Sequence, residues 1–161
     1  MGTDAPNLDL EKQLCFALYS ASRAMTTAYR PILKSLGITY PQYLVFLLLW
    51  ERDKLSQTEI GERLLLDSGT LSPMIKRMEK AGLVSRVRDV EDERSVRIVL
   101  TEKGRALRAK AVSVPEAIAC KVNITAEHAE RLRREVSKLT FALQSANEDA
   151  RGGSVKGAAK A

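Results

Sequence analysis

The sequence has few of the residues that build catalytic or metal sites. It contains two cysteines, one histidine and only 5% aromatic residues in a chain of 161. The histidine, His128, has no cysteine or second histidine at metal-ligand spacing, so we expect no metal site. The glycines are scattered at predicted helix ends rather than gathered in a phosphate-binding loop, so we expect no cofactor.

Long apolar segments and export signals are also missing. A membrane-spanning helix needs about 20 apolar residues, and the most apolar segment, residues 44–50, is much shorter. The first residues, MGTDAPNLDLEKQ, contain no basic segment followed by an apolar core, so we expect no secretory signal. We therefore expect a cytoplasmic protein, in which cysteines are more often free, catalytic or redox-active than structurally bridged.

The sequence does have a large apolar fraction and a surplus of positive charge. An apolar fraction of 45% in 161 residues suffices for one domain with a hydrophobic core. Lysine and arginine number 26 against 20 acidic residues, which gives a net charge of +6. This surplus favours an anionic partner, and nucleic acid is the first candidate. A solvated basic surface would give the same charge, so charge alone does not decide.

The first predicted helix covers residues 8–36 and is closed by Gly37. Its apolar residues recur at steps of three and four over a stripe wider than one small domain buries, which favours a dimer interface. Cys15 and Tyr29 are fourteen residues apart on this helix, which is ~21 Å along its axis. They cannot touch within one chain, but two antiparallel copies could place the Cys15 of one subunit beside the Tyr29 of the other.

The remaining pattern predicts a helix-turn-helix, a β-hairpin and two further helices. Capping boxes begin at Thr39 and Ser56, and Asp67 or Ser68 caps the next helix. The predicted helices are 39–52, 56–64, 67–81, 101–122 with a kink at Val114-Pro115, and 125–146, and the predicted strands are 83–88 and 95–100. The tail from Asn147 has no periodicity, and we expect it to be disordered. The expected fold is mainly α with a small β-hairpin.

Polar and basic side chains gather on the second helix of the helix-turn-helix and on the hairpin. A DNA major groove admits one helix, whose first hydroxyls can bond phosphates or base edges and whose later cations can reach phosphates or guanine. Alternatively, the hydroxyls only cap the helix and the arginines form a solvated face, but the ordered set favours DNA. The candidate DNA-binding residues are Ser68, Thr70, Ser72, Pro73, Lys76 and Arg77, with Arg86, Arg88, Arg94 and Arg97 around the hairpin.

Residues 58–104 resemble the winged helix-turn-helix of the MarR family of bacterial regulators. Residues 92–101, DERSVRIVLT, match that family's wing signature, an Asp-x-Arg followed by a strand ending in Leu-Thr. The resemblance covers about residues 8–146. It implies an obligate homodimer with a dimerisation region (1–40 and 105–146) and a DNA-binding region (41–104) for a pseudo-palindromic operator. It also implies that Arg94 enters the minor groove and that Asp92 supports the wing.

A narrower resemblance rests on LCFALY at residues 14–19, YRP at 29–31 and TYPQY at 39–43. On these motifs the chain is identified as a member of the organic hydroperoxide resistance regulators, OhrR. The resemblance implies that Cys15 is the peroxide-reactive thiol and that Tyr29 and Tyr40 approach it from the other subunit. Cys120 resembles the resolving cysteine of the two-cysteine form, whose disulfide would join the Cys15 of one subunit to the Cys120 of the other. A buried core cysteine in an Ala/Val-rich helix is the alternative for Cys120.

Three functional hypotheses follow. The first is a repressor, not an enzyme, that releases its operator when an organic hydroperoxide oxidises Cys15. The second is a MarR-type repressor that a small phenolic ligand releases, with both cysteines passive. The third is a thiol peroxidase that turns over with Cys15 and Cys120, in which the DNA-reading half of the chain has no purpose.

Overall fold

The computed structural model describes residues 8–88 and 96–153. Within those ranges the helices and strands are α1 Leu14–Lys34, α2 Tyr40–Glu51, β1 Leu55–Ser56, α3 Gln57–Leu64, α4 Ser68–Lys80, β2 Val84–Arg88, β3 Val96–Leu100, α5 Glu102–Ala111, α6 Val114–Val122 and α7 Ala126–Gly153. The chain divides into a compact unit up to Ile118 and a second from Ala119 onward. None of the described helices is both long enough and apolar enough to cross a membrane.

The helix α1 begins later than the sequence pattern predicts. A short 3-10 turn at Leu10–Lys12 precedes it and is capped by the Asp9 carboxylate. Gln13 is then extended, with φ −82° and ψ 123°, so the predicted helix over residues 8–36 is split in two. At the other end Gly37 takes a left-handed φ of +68°, which a glycine adopts without a Cβ clash and which ends the helix as predicted.

The helix-turn-helix has the caps that the sequence predicts. Ser56 and Glu59 form a capping box at α3, in which Glu59 N–H donates to Ser56 Oγ at 3.1 Å and Ser56 N–H donates to Glu59 Oε2 at 2.7 Å. Asp67 caps α4 by accepting the Thr70 N–H at 2.8 Å. Leu65, with a φ of 55°, makes the tight turn between the two helices. Local sequence therefore fixes both helix starts.

The predicted hairpin belongs to a three-stranded antiparallel sheet with the order β1-β3-β2. β2 pairs with β3 from Val84 opposite Leu100 to Arg88 opposite Val96. The strand β1 was not predicted, because two residues are too few to show an alternating pattern. It forms because Leu55 pairs with Ile98 on the central strand, where both are buried. Residues 89–95, which include the predicted site residues 92 and 94, lie outside the described residues.

The hydrophobic core of the first unit lies where α2, α3, α4 and the sheet meet. Its fully buried side chains include Val45, Phe46, Leu49, Leu55, Ile60, Leu71, Ile75, Met78, Val84 and Ile98. The helix α1 contributes little to this core, because only Leu33 is buried on it. The wide apolar stripe that we expected to be buried on α1 is therefore exposed in the single chain, with Leu14 61% and Met25 38% exposed.

The C-terminal helices differ from their predicted bounds in two places. The predicted helix over residues 101–122 is two helices, α5 and α6, because Pro115 has no N–H to donate to the preceding turn. The helix α7 continues to Gly153, so residues 147–153 are helical where we expected a disordered tail. The segment NEDAR has no proline or glycine to stop a helix, and the paired glycines come only at 152 and 153. Residues 154–161 lie outside the described part of the chain.

Asp53 joins the turn after α2 to the sheet and to α5. Its Oδ1 accepts the Leu100 N–H at 3.0 Å, and its Oδ2 lies 2.8 Å from Arg105 Nη1. The Asp53 side chain is 23% exposed, so the backbone bond is partly shielded from water. A hydrogen bond that closes such a junction contributes to stability chiefly because its loss leaves a donor without an acceptor.

We expect Asp53→Ala to lower the free energy of unfolding by about 2 kcal/mol, because the Leu100 N–H loses its acceptor. Glu51 offers a matched control, since it forms an ion pair of similar length, 2.9 Å, with Arg63 between side chains that are 64% and 45% exposed. Glu51→Ala should cost less than about 0.5 kcal/mol because water screens an exposed pair. Urea unfolding, monitored by circular dichroism, measures the free energy of unfolding of both variants. Equal losses of free energy would contradict the role assigned to Asp53.

Candidate functional site

The two predicted redox cysteines lie on different elements, and neither is a core residue of the single chain. Cys15 is near the start of α1, and Cys120 lies in α6. Both thiols are free and exposed. Cys15 belongs to the first compact unit and Cys120 to the second, so the disulfide between them stays a prediction.

The helices α1 and α2 bring three tyrosines together within one chain. The Tyr29 ring lies 4.8 Å from that of Tyr40 and 6.0 Å from that of Tyr43, measured between centroids. We call Tyr29, Tyr40 and Tyr43 the tyrosine cluster. The sequence singled out Tyr29 and Tyr40 but not Tyr43, although a spacing of three residues from Tyr40 places Tyr43 on the same side of α2.

The phenols of the tyrosine cluster are held in their protonated form. Burial raises the pKa of Tyr29, Tyr40 and Tyr43 above the usual 10.0. For Tyr29 the charge that ionised Tyr40 and Tyr43 would carry raises the pKa further, and Tyr40 has the same effect on Tyr43. A neutral phenol has an O–H to donate, so the cluster can hydrogen-bond an anion at neutral pH.

Two further aromatic rings connect the tyrosine cluster to the core. Tyr43 lies 6.4 Å from Trp50, and Trp50 stacks on Phe46 at 5.1 Å. The Trp50 indole N–H donates to the Gly104 carbonyl at 3.1 Å, which satisfies the polar atom of a half-buried ring. These contacts therefore connect the tyrosine cluster to the buried ring of Phe46.

A cleft of about 440 Å³ opens beside Tyr40, between the last turns of α1 and the start of α2. Two cations, Arg30 and Lys34, lie along it, and its other lining residues are Thr26, Leu33, Gly37, Ile38, Thr39 and Pro41. Apolar walls next to phenol donors can admit a small apolar molecule that carries a polar end. The motifs YRP and TYPQY contribute Arg30, Thr39, Tyr40 and Pro41 to this lining, but the cleft itself could not be read from the sequence, since two helices and the turn between them form it.

The helix α4 has one buried side and one exposed polar side. Its buried side chains are Leu71, Met74, Ile75 and Met78. The predicted DNA-binding residues of this helix are exposed at Ser68, Thr70, Pro73, Lys76 and Arg77 and half-buried at Ser72. Lys80 adds a further exposed cation at the end of the helix. The helix thus presents a continuous polar and basic side to its surroundings.

The basic charge predicted around the sheet is partly balanced by acidic partners. Arg86 Nε lies 3.7 Å from Glu79 on α4, and Arg97 Nη1 lies 2.6 Å from Glu59 on α3. The pKa of Glu59 is lowered first by hydrogen bonds from Ser56 and then by Arg97. The ion pair between Arg97 and Glu59 therefore connects β3 to α3. The sequence alone did not indicate this contact.

Comparison with known proteins gives the family. The chain is 49% identical over 142 residues to the organic hydroperoxide resistance transcriptional regulator of Bacillus subtilis (strain 168). The aligned residues cover 88% of this chain and 95% of that protein. The chain belongs to the family of organic hydroperoxide resistance transcriptional regulators. The profile of the family described as Transcriptional regulator SarA/Rot matches residues 27–110.

Solved structures of AbfR from Staphylococcus epidermidis are also similar. Reduced AbfR bound to DNA superposes with a TM-score of 0.69 at 38% identity, covering 84% of this chain and 93% of that one. Disulfide-formed AbfR superposes with a TM-score of 0.57 at 40% identity, covering 81% and 92%. These likenesses confirm the predicted MarR-like winged helix-turn-helix and the resemblance found in the sequence.

The tyrosine cluster should make stability fall at high pH. The folded-state pKa of each phenol lies above its unfolded value of about 10. As pH rises, the unfolded chain therefore loses these protons at a lower pH than the folded chain does. The contribution is fully present below about pH 10 and is lost as pH rises through the folded-state pKa. We expect the change in urea midpoint between about pH 8 and pH 10.5 to be smaller in the triple variant Tyr29→Phe, Tyr40→Phe, Tyr43→Phe.

Tyr19→Phe is the matched control, because Tyr19 is 58% exposed and lies outside the tyrosine cluster. Tyr19→Phe should show the same fall in midpoint as the unmodified chain. If the urea midpoint of the triple variant falls as much as that of the unmodified chain, the three phenols have the same pKa in the folded and the unfolded state. That result would contradict the assigned direction of the pKa shifts.

Proposed function

We propose that the chain is a homodimeric DNA-binding repressor that senses organic hydroperoxides through Cys15. The observation that carries the proposal is an exposed thiol at one end of α1 and a cluster of protonated phenols near the other. The rise of the helix separates Cys15 from Tyr29 by ~21 Å. Two antiparallel copies of α1 would bring the Cys15 of each subunit to the tyrosine cluster of the other, so the dimer contains two complete sites.

The exposed apolar side chains of the long helices support a dimer. Leu14 and Met25 are exposed on α1, and α7 exposes Leu132, Val136 and Leu143. Apolar residues at helical spacing on the surface of a single chain indicate an interface. Most oligomers are homo-oligomers with closed symmetry, and the two-fold dimer is the commonest form. A second copy of this chain is therefore the proposed partner.

The proposed chemistry uses the thiolate of Cys15 as a nucleophile. Its sulfur attacks the outer oxygen of the hydroperoxide, the S–O bond forms, the O–O bond breaks, and the alkoxide leaves and takes up a proton as the alcohol. The sulfur loses the two electrons that the peroxide gains, which gives a sulfenic acid. Phenol O–H groups of the tyrosine cluster can stabilise the thiolate and the leaving alkoxide, and the cleft beside Tyr40 offers room for the organic group.

The sulfenic acid at Cys15 would then be captured by the Cys120 thiol of the other subunit. The Cys120 sulfur attacks the Cys15 sulfur, the S–S bond forms, and the hydroxyl leaves as water. The exposed thiol of Cys120 supports this step, and so does the disulfide-formed structure of the AbfR relative. We propose that this reaction occurs once in each site, without catalytic turnover, so that the chain acts as a switch and not as an enzyme.

The exposed side of α4 is proposed to enter the major groove of an operator. A dimer places two copies of α4 on successive turns of a pseudo-palindromic duplex, as in other helix-turn-helix proteins. Strain from oxidation at Cys15 would alter the spacing of the two helices, so the oxidised dimer would bind less tightly. By linkage, bound DNA must then oppose oxidation to the same extent at equilibrium.

The deciding experiment measures binding to a duplex selected in vitro, before and after one equivalent of cumene hydroperoxide per subunit at fixed salt. We expect the unmodified protein to release DNA and Cys15→Ser to keep it. Cys120→Ser should form no covalent dimer on a non-reducing gel, whereas the unmodified protein should. If Cys15→Ser releases DNA as the unmodified protein does, or if neither responds to the peroxide, Cys15 is not the sensor.

A second candidate function is favoured by the cleft beside Tyr40. Arg30 and Lys34 line it, and two cations next to apolar walls suit a phenolic carboxylate. In that case the ligand itself would release the operator and both cysteines would be passive. Salicylate is a suitable probe: release of DNA from Cys15→Ser by salicylate would support this candidate, and no release from any variant would exclude this ligand.

The cations of α4 should contribute to affinity by pairing with phosphates. We expect Lys76→Ala and Arg77→Ala each to weaken binding, and removing one cation that pairs with a phosphate should lower the slope of log affinity against log salt by roughly one. Lys138→Ala is the matched control, because Lys138 lies on α7 and pairs with Glu135 at 3.0 Å. Fluorescence anisotropy over a salt series measures the slopes, and unchanged slopes in both α4 variants would remove α4 from the DNA surface.

A further inference from the structure

The short segment before α1 exposes apolar and acidic side chains together. We call residues 8–12 the N-terminal turn; it contains the 3-10 turn, in which no residue is buried. Leu8 is 85% exposed and Leu10 is 56% exposed. Lys12 pairs with Asp9 at 3.3 Å, so the carboxylate of Glu11 gives the turn a net negative charge. Neighbouring apolar side chains that are exposed together indicate a contact with another surface.

The cleft beside Tyr40 has the opposite charge. Arg30 and Lys34 lie along it, one helical turn apart on α1, and its apolar walls include Leu33 and Ile38. Both cations are exposed, and neither forms an ion pair with a carboxylate of the described residues. The cleft can therefore accept a segment that combines apolar side chains with a carboxylate, which is the composition of the N-terminal turn.

The N-terminal turn cannot reach the cleft of its own chain. The helix α1 runs without a break from Leu14 to Lys34, and twenty residues of α-helix are about 30 Å long. The turn lies at one end of this helix and the cleft at the other. Only a second molecule can therefore bring such a turn into the cleft.

The antiparallel pair of α1 helices has the register that this contact needs. If Cys15 of one subunit lies beside Tyr29 of the other, the residues before Cys15 run alongside the residues after Tyr29. Glu11 is four residues before Cys15, and Lys34 is five residues after Tyr29. The midpoint between residues 15 and 29 is residue 22, within the segment SASRA at residues 20–24. Small side chains at this midpoint let two helices approach closely.

We propose that the cleft beside Tyr40 is a docking surface for the N-terminal turn of a second copy of this chain, with Leu10 against its apolar walls and Glu11 between Arg30 and Lys34. The inference rests on the proposed function, because it uses the antiparallel dimer. In that dimer each turn covers the end of the cleft at the two cations and leaves the end at Tyr40 for the organic group of a hydroperoxide. The second copy thus supplies a wall of the site as well as its thiol.

Zero-length cross-linking tests this contact in the full chain. A water-soluble carbodiimide joins a carboxylate to an amine only where the two groups touch, so Glu11 should couple to Lys34. Because α1 holds these residues more than about 30 Å apart in one chain, a cross-link between them joins two subunits. We expect a covalent dimer on a denaturing gel, and mass spectrometry of its peptides identifies the coupled residues.

Two controls accompany the cross-linking. Lys34→Arg keeps the positive charge but removes the amine, so the cross-link from Glu11 should be lost while the protein stays a dimer. Glu135 and Lys138 serve as the internal control, because they pair at 3.0 Å within α7. They should couple equally in the unmodified protein and in Lys34→Arg.

The rate at which iodoacetamide alkylates Cys15 measures whether the turn covers the site. The measurement uses a Cys120→Ser background, so that only Cys15 reacts. Glu11→Lys should raise the rate about fivefold, because Arg30 and Lys34 then repel the turn. Adding Lys34→Glu should restore most of the slow rate, since opposite charges face each other again. An unchanged rate in Glu11→Lys would mean that the turn does not cover the site.

Glu62→Lys is the matched control for the alkylation rates. It reverses an exposed carboxylate on α3, outside the cleft and the N-terminal turn, and should leave the rate unchanged. Circular dichroism checks that each variant is folded.

Two negative outcomes separate this inference from the proposed function. If the unmodified protein sediments as a monomer at micromolar concentration, the proposed homodimer fails and the inference fails with it. If it sediments as a dimer in which Glu135 couples to Lys138 but Glu11 does not couple to Lys34, the dimer stands and the inference is wrong. The cleft is then open to a free carboxylate, as in the second candidate function.

Discussion

The stiffness of α1 is the constraint on which the proposed site depends. An α-helix advances a fixed distance per residue, so Cys15 and Tyr29 are held ~21 Å apart whatever the rest of the chain does. Cys15 therefore cannot meet Tyr29 within a single chain, and the same helix leaves its apolar side exposed. Both facts are accounted for by one arrangement, an antiparallel pair of α1 helices. In the proposed dimer, a chemical change at Cys15 would act directly on the interface between the two subunits.

The features of the fold that local sequence determines were predictable, and those that depend on distant partners were not. Ser56 with Glu59, and Asp67 with Thr70, lie within one turn of each other, so their spacing alone marks the start of a helix. The strand β1 has no such signal, because Leu55 is extended only through its pairing with Ile98 on β3. The predicted end of α7 was the end of its apolar stripe. The helix continues to Gly153 because the residues after the stripe are compatible with a helix.

The candidate site was predictable at the level of residue type but not of electrostatics. Cys15, Tyr29 and Tyr40 could be named from motifs, whereas the raised pKa values of the phenols depend on burial between two helices. The arginines of the sheet looked alike in the sequence. In the structure Arg97 is fixed against Glu59, while the cations of α4 are exposed. Contacts across elements, rather than the number of charges, therefore decide which cations can reach DNA.

The charged residues of α4 follow the order that stabilises a helix. An anion at the beginning of a helix and cations near its end both stabilise the helix dipole. Asp67 and the pair Lys76 and Arg77 follow this order. The same order places a hydrogen-bond acceptor at the start of α4 and hydrogen-bond donors near its end. The charge of the helix therefore changes from negative to positive along its axis. Asp67 also accepts a hydrogen bond from the Thr70 hydroxyl, so the residue that caps the helix also fixes the direction of that hydroxyl.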